Sequence, residues 1–222
     1  MVIYPELLHK SILTVQALKD TNLSLYTQPA LAATSMHIDQ IIDSIHPLPE
    51  ASKKMLRQHI TEVSFPKGHI LMEADKVETT IYFIRKGIVR AYSSNAENEI
   101  TFWFGREGDT VISMRSYVEN RKGYENIELL ERCDLYALQT SSLQTLFGED
   151  IHMANWGRKF AEQELVKTEE RLISRQVRTA SERYRELLKN YPHLIRRAPL
   201  GHIASYLGIT QVSLSRIRAE IR

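Results

Sequence analysis

The sequence of 222 residues contains a single cysteine, Cys133. One thiol can form neither an intramolecular disulfide nor the thiolate set of an iron–sulfur cluster. No apolar run approaches the roughly 20 residues that a membrane-spanning helix needs. The N-terminus also lacks the charged start, apolar stretch and cleavage site of a secretion signal. We therefore expect a cytoplasmic protein with no membrane partner.

The common signatures of catalysis are missing as well. No His-x-His pair occurs, so a metal-dependent oxygenase built on a β-barrel would lack its ligands. We find no nucleophile elbow and no Gly-rich phosphate loop. His69 or Cys133 could be proposed as an axial haem ligand, but a surface histidine in a strand and a buried apolar cysteine are the favoured interpretations. We expect no enzyme activity, no metal and no cofactor.

Positive charge is concentrated at one end of the chain. Residues 171–222 hold eleven of the 29 Lys and Arg residues but only three of the 27 acidic residues, so this segment carries +8 and residues 1–170 carry −6. Such an asymmetry is typical of a polyanion-binding end joined to an acidic part that binds something else. A basic tail that only aids solubility is the alternative.

Hydrophobic patterning divides the chain into four segments. Residues 1–35 are a leader, either poorly ordered or placed upstream of a true start at Met36. Residues 36–150 begin with two short helices, to residue 60, and then show short strands between turn residues, which predict an antiparallel sandwich or barrel. Residues 151–178 are a long helix, and residues 179–222 complete the chain. The predicted strands are Thr61–Phe65, His69–Glu73, Thr80–Arg85, Ile88–Tyr92, Ile100–Phe104, Ile127–Leu130 and Leu135–Leu138.

The long helix carries apolar side chains at spacings of three to five residues along one side. Its 28 residues would span roughly 40 Å, which suits pairing with a second copy of the chain. A helix packed only on its own barrel is the alternative. The predicted dimerisation residues are Met153, Trp156, Phe160, Leu165 and Leu172, with Thr168 on the same side.

Residues 200–219 have the pattern of a helix-turn-helix, the most specific signal in the chain. It predicts a first helix over Leu200–Leu207, a turn at 208–210 and a second helix from near Gln211. Ala204 is small where the helices cross, Gly208 can adopt a positive φ, and the Thr210 hydroxyl can cap the second helix. Apolar residues at positions 203, 207, 209, 214 and 217 would form the seam, the apolar contact between the two helices.

Apart from Val212, the outward positions of the second helix suit contacts with DNA. Arg can bond a guanine edge, and Gln an adenine edge, through two atoms at once. We expect Arg216 to be the main base reader, Val212 to touch a thymine methyl, and the hydroxyls to contact phosphates. The predicted DNA-binding residues are Thr210, Gln211, Val212, Ser213, Ser215, Arg216 and Arg218.

The order of β-roll, long helix and C-terminal helix-turn-helix resembles the Crp/Fnr family of bacterial transcription regulators. The segments that carry the resemblance are Phe65–Glu73, Ile81–Gly87, Gly108-Asp109 and, most specifically, Ile203–Arg218, which is similar to the Bacteroidetes branch. The resemblance covers residues 37–222. It implies an α+β chain with an antiparallel, jelly-roll-like sensory domain. It also implies a homodimer on a two-fold-related operator in double-stranded DNA, with half-sites about 34 Å apart, and RNA polymerase as a further partner.

The family pattern fails where cyclic-nucleotide-binding members hold the cyclic phosphate. The matching cassette, Val111–Tyr117, lacks their Gly-Glu pair, and their phosphate-binding Arg falls near Gly123-Tyr124. Arg115 or Arg121 could supply a charge, but the bidentate partner of the phosphate is missing. This argues against cyclic AMP and leaves an unidentified small molecule, or none, as the effector. The candidate ligand-binding residues are Ser113, Met114, Arg115, Tyr117 and Tyr124.

Two departures concern DNA. Many family members have Arg and Glu at the positions of Gln211 and Val212, so their operator sequence is not carried over, whereas Arg216 matches a base-contacting Arg of the family. No β-hairpin wing follows the second helix, so its phosphate contacts are either missing or supplied by Arg196 and Arg197. The alternative function is a ligand-binding module whose C-terminal helices bind protein.

Overall fold

Eight strands form two four-stranded antiparallel sheets in a computed structural model of the chain, which describes residues 35–94 and 98–221. One sheet has the order β1-β8-β3-β6 and the other β2-β7-β4-β5. The predicted strands are confirmed, and the two-residue β6 is an addition, too short for a pattern to reveal. The strands are β1 (Ile60–Phe65), β2 (Ile70–Met72), β3 (Thr80–Lys86), β4 (Val89–Ser94), β5 (Glu99–Gly105), β6 (Thr110–Val111), β7 (Asn126–Leu129) and β8 (Cys133–Gln139).

Successive side chains of the strands point to opposite faces of the sheets and so contribute to two separate hydrophobic cores. On β3, Ile84 faces the second sheet and joins Val89 and Leu129 in the layer between the sheets, all three fully buried. Its neighbour Phe83 points the other way, because successive strand side chains lie on opposite faces. The β-roll is therefore covered on its other face by helices.

Four helices and the start of a fifth surround the β-roll. They are α1 (Ile38–Ile45), α2 (Glu50–Arg57), α3 (Met114–Glu119), α4 (Thr140–Glu149) and α5 (Ile151–Val177). Ile41 and Ile42 of α1 and Leu56 of α2 are fully buried against the outer face of β3 and β8. The predicted leader, residues 1–35, lies outside the described residues apart from Ser35.

The first turns of α5 belong to this core, which corrects part of the dimerisation prediction. Met153 is fully buried and Trp156 is 2% exposed, and the half-buried ring of Phe160 stacks on Trp156 with centroids 6.1 Å apart. The apolar residues do lie along one side of α5, but at its N-terminal end this side packs against the chain's own β-roll. Met153 and Trp156 are therefore unavailable to a second copy.

Beyond residue 160, α5 leaves the β-roll core and exposes apolar side chains. The whole helix has 27 residues. Neither α5 nor any other helix within residues 35–94 and 98–221 is long and apolar enough to cross a membrane. Four further helices follow: α6 (Ala180–Asn190), α7 (Pro192–Arg197), α8 (Leu200–Tyr206) and α9 (Gln211–Glu220). All described residues belong to one compact unit.

Candidate nucleic-acid interface

Helices α8 and α9 form the predicted helix-turn-helix. Ala204 is 2% exposed where the helices cross, and Leu214 is fully buried. Gly208 has φ +67° in the turn, a conformation that L side chains rarely adopt. The Thr210 hydroxyl accepts a hydrogen bond of 3.1 Å from the Ser213 N–H and so caps α9. The motif is therefore built from the residues that the sequence predicted for it.

Burial on α9 follows the helical period and leaves one exposed face. Leu214 holds the helix to α8, while Gln211, Val212, Ser215 and Arg216 are exposed. Ser213 and Arg218 are half-buried beside the seam. Within the described ranges, neither Arg216 nor Arg218 forms an ion pair. The exposed face thus presents an unpaired guanidinium, an amide and a valine together.

The hydroxyls of this helix are bonded within the helix itself. The hydroxyl oxygens of Thr210 and Ser213 are 3.0 Å apart, and the Ser215 hydroxyl donates to the Gln211 carbonyl oxygen at 3.0 Å. A hydroxyl has two acceptor lone pairs and one donor, so these groups keep only part of their capacity for a phosphate. Arg216 and Gln211 are consequently the stronger candidates for base contacts.

Two arginines near the motif are engaged inside the protein. Arg183 on α6 donates to the Leu207 carbonyl oxygen at the end of α8, 2.8 Å away. Arg197, a candidate for a phosphate contact, instead donates to Glu107 and Glu131 of the β-roll, whereas Arg196 is exposed. Sequence reasoning missed Arg183, Glu107 and Glu131, because pairs 24 to 90 residues apart leave no local pattern.

The helix-turn-helix packs directly on the β-roll. The Ser205 hydroxyl of α8 accepts from the Thr101 N–H and donates to the Glu99 carbonyl oxygen on β5, both at 2.9 Å. The rings of Phe104 and Tyr206 lie 5.3 Å apart. Ile88 and Leu130 of the β-roll share a core with the helices α6 to α9.

Comparison with known proteins agrees with this architecture. Residues 62–150 match the family model of the cyclic nucleotide-binding domain. FixK2 from Bradyrhizobium japonicum superposes with a TM-score of 0.62 at 22% identity, covering 73% of this chain and 84% of FixK2. A protein from Eubacterium rectale assigned to the Crp/Fnr family of transcriptional regulators gives 0.62 at 17% identity, covering 77% and 82%. The chain has the fold of a Crp/Fnr regulator.

A third structure of the same fold, CooA from Carboxydothermus hydrogenoformans, gives a TM-score of 0.59 at 16% identity and covers 85% of each chain. No curated protein sequence matches the chain significantly. The Crp/Fnr resemblance is therefore confirmed at the level of the fold and of the cyclic nucleotide-binding domain, and the placement in the Bacteroidetes branch stays a prediction.

In this Crp/Fnr fold, the five candidate ligand-binding residues do not converge. Arg115 and Tyr124 line a cleft of about 460 Å³ beside α3. Ser113 is buried with its hydroxyl 3.1 Å from that of Ser116, and Tyr117 packs against the helical core. Met114 is exposed and does not line the cleft. The other residues that line the cleft are Asp75, Val77, Asn120, Arg121, Lys122 and Gly123.

At Gly123, one of the two positions near which the phosphate-binding arginine would fall, an added side chain would crowd its neighbours. A Cβ atom at Gly123 would lie 2.9 Å from the Ser113 hydroxyl oxygen and 3.3 Å from a carboxylate oxygen of Glu125. Glu125 is 6% exposed and accepts a hydrogen bond from the Tyr124 N–H at 3.0 Å. A carboxyl group thus occupies the neighbourhood in which the family's cyclic-nucleotide-binding members place a positive charge.

Proposed function

We propose that this chain is a homodimeric, sequence-specific DNA-binding transcription regulator acting in the bacterial cytoplasm. The observation that carries the proposal is the guanidinium of Arg216 on the outward face of α9, which is exposed and has no ion-pair partner among the described residues. Its helix is fixed by the buried Leu214 and by the Thr210 cap. A rigid helix that presents Arg and Gln outward is the arrangement that reads bases in the major groove.

Two copies are needed because a single helix contacts only one half-site. The C-terminal part of α5 exposes Leu165, Val166, Leu172, Ile173 and Val177, an apolar strip on a helix that continues into the helix-turn-helix unit. Pairing of two such helices buries the strip and relates the two α9 helices by a two-fold axis. The resulting operator is an inverted repeat with half-sites about one helical turn apart.

The β-roll is the sensory part of this proposal, with an effector other than cyclic AMP. The cleft beside Arg115 and Tyr124 has the size of a small-molecule site, typically about 300 Å³ or more. Effector binding there shifts the long helices and so changes the separation of the two α9 helices. RNA polymerase is the further partner through which such a regulator acts on transcription.

Selection of bound sequences from random duplex DNA tests the proposal. The wild type, without added ligand, should enrich an inverted repeat, and Arg216→Ala should not. Arg216→Lys keeps the charge but loses the two-pronged contact, so it should retain salt-dependent binding while losing sequence preference. Arg132→Ala is the matched control, because it removes one charge from an exposed turn of the β-roll. Enrichment that Arg216→Ala leaves unchanged would refute the assignment of α9 as the reader.

A further inference from the structure

Besides the shared apolar core, polar contacts at and near β5 attach the helix-turn-helix to the β-roll. This strand lies at the edge of its sheet, where backbone groups are open to new partners. Through its two bonds to residues 99 and 101, Ser205 joins α8 to this edge. The helix that crosses the DNA backbone in helix-turn-helix complexes is therefore attached to the sensory part of the same chain.

Next to this attachment, Arg197 is enclosed by two carboxylates. Its Nη1 and Nη2 donate to the two oxygens of Glu107 at 3.1 and 2.7 Å, and its Nε donates to Glu131 at 3.2 Å. The side chain of Arg197 is 19% exposed and that of Glu107 12%. Both glutamates lie in β-roll turns, between β5 and β6 and between β7 and β8. The contact therefore joins the basic and acidic parts of the chain.

The chemistry of this cluster matches that of a phosphate contact. A guanidinium binds a carboxylate and a phosphate through the same pair of parallel N–H donors. Arg197 precedes α8 by three residues, and the first helix of a helix-turn-helix crosses the DNA backbone. Glu107 and Glu131 therefore occupy donors that a phosphate would otherwise use.

We propose that Glu107 and Glu131 act as an internal phosphate mimic that withholds Arg197 from DNA while the helix-turn-helix is docked on β5. The inference rests on the proposed DNA-binding function. Full-strength binding then requires Arg197 to exchange these carboxylates for a DNA phosphate. The exchange couples the position of the β-roll turns to DNA affinity, independently of any contact that reads bases.

Titration of mixed-sequence duplex DNA against Glu107→Gln/Glu131→Gln, at several salt concentrations, tests this proposal. In the wild type, the Gly87 N–H donates a hydrogen bond to the Glu107 carboxylate. Glutamine keeps an acceptor oxygen for this bond, so the variant should stay folded, and its melting temperature checks this. One phosphate contact contributes about 0.9 to the slope of log affinity against log salt. We expect the slope to steepen by about that amount and affinity at about 0.1 M salt to rise roughly five- to tenfold.

Two comparisons separate this mechanism from a general change of charge. Glu62→Gln/Glu73→Gln removes two ion-paired carboxylates elsewhere on the β-roll and should leave the slope unchanged. Adding Arg197→Ala to the Glu107→Gln/Glu131→Gln variant should abolish its gain. Arg197→Ala alone should alter binding by the effector-free wild type little, because the two carboxylates already withhold Arg197 in the docked state. Equal slopes in all DNA-binding variants would overturn the mimic but not the proposed function. Failure of every variant, wild type included, to bind duplex DNA would overturn both.

Discussion

The indole Nε1 of Trp156 donates a hydrogen bond of 3.0 Å to the main-chain carbonyl oxygen of Ile42. Both residues are buried, so this bond fixes the long helix α5 to α1 inside the core. Trp156→Phe removes the donor and part of the ring, leaving a buried carbonyl without its partner. We expect a loss of about 1–3 kcal/mol in the free energy of unfolding, which lowers Tm by roughly 3–10 °C.

Trp103→Phe is the matched control, because Trp103 is half-buried on β5 and its indole N–H has no partner among the described residues. Differential scanning calorimetry at one fixed protein concentration compares the variants. If the Trp156→Phe and Trp103→Phe proteins have the same Tm, the bond to Ile42 does not contribute to stability.

The exposed strip of α5 leads to a prediction about assembly. Leu165 and Leu172 are 70% and 56% exposed, and burying a leucine fully contributes about 1.5–3 kcal/mol. Leu165→Glu/Leu172→Glu should raise the dimer dissociation constant by at least about a hundredfold, while the β-roll stays folded because α5 remains attached through Trp156. Light scattering behind a sizing column measures the mass.

Val118→Glu gives the comparison for this experiment, since Val118 is 67% exposed on α3, away from the strip. It should remain dimeric. If the wild type is a monomer at micromolar concentration, or if the leucine variant stays a dimer, the strip is not the interface.

The sequence predicted local structure well and tertiary choices less well. Gly208, Thr210 and the α9 face follow from rules that act within a few residues, and all three lie as expected. Whether an apolar helix face packs within its own chain or against a second copy is not decided by local sequence. Met153 and Trp156 were therefore predicted to contact a second copy, although they are buried in their own chain. The engagement of Arg197 was missed because Glu107 is 90 residues away in sequence. The ligand candidates diverged because Ser113, the N-cap of α3, is buried, whereas Tyr124, in the segment between α3 and β7, is exposed.

The absence of an arginine at Gly123-Tyr124, beside the buried carboxyl group of Glu125, predicts that cyclic AMP is not a ligand. A ligand at about 100 times its Kd stabilises the native state by roughly 2.7 kcal/mol, a Tm rise of about 5–10 °C for a unit of this size. We expect cyclic AMP to change Tm by less than about 1 °C. Thermal melts with and without the nucleotide provide the measurement.

Restoring an arginine should not create the site either. Gly123→Arg places Cβ against the Ser113 hydroxyl and Glu125, so it should destabilise the protein without conferring binding. Gly148→Arg is the control, because a Cβ there meets nothing within 4 Å. Stabilisation of the Gly123→Arg protein by cyclic AMP would show that only the missing charge excludes the nucleotide.

The single thiol provides a test of burial through its ionisation. Burial, together with the nearby Glu131 carboxylate, raises the pKa of Cys133 from 9.0 to about 12. The fold thus favours the neutral thiol, and this contribution to stability is complete below about pH 9 and is lost as the pH rises towards 12. Because the thiolate is the reactive form and Cys133 is fully buried, alkylation at about pH 8 should be far slower than for an exposed thiol.

An exposed thiol on the same chain gives the reference rate. Cys133→Ala combined with Ser141→Cys places it on α4, where Ser141 is exposed, and it should react at the rate of a free cysteine. Cys133→Ala should also lose less stability than the wild type between about pH 9 and pH 12. Wild-type labelling that matches the Ser141→Cys protein in native buffer would mean that the turn between β7 and β8 opens readily. Labelling that appears only in denaturant would instead make Cys133 a reporter of unfolding of the layer between the two sheets.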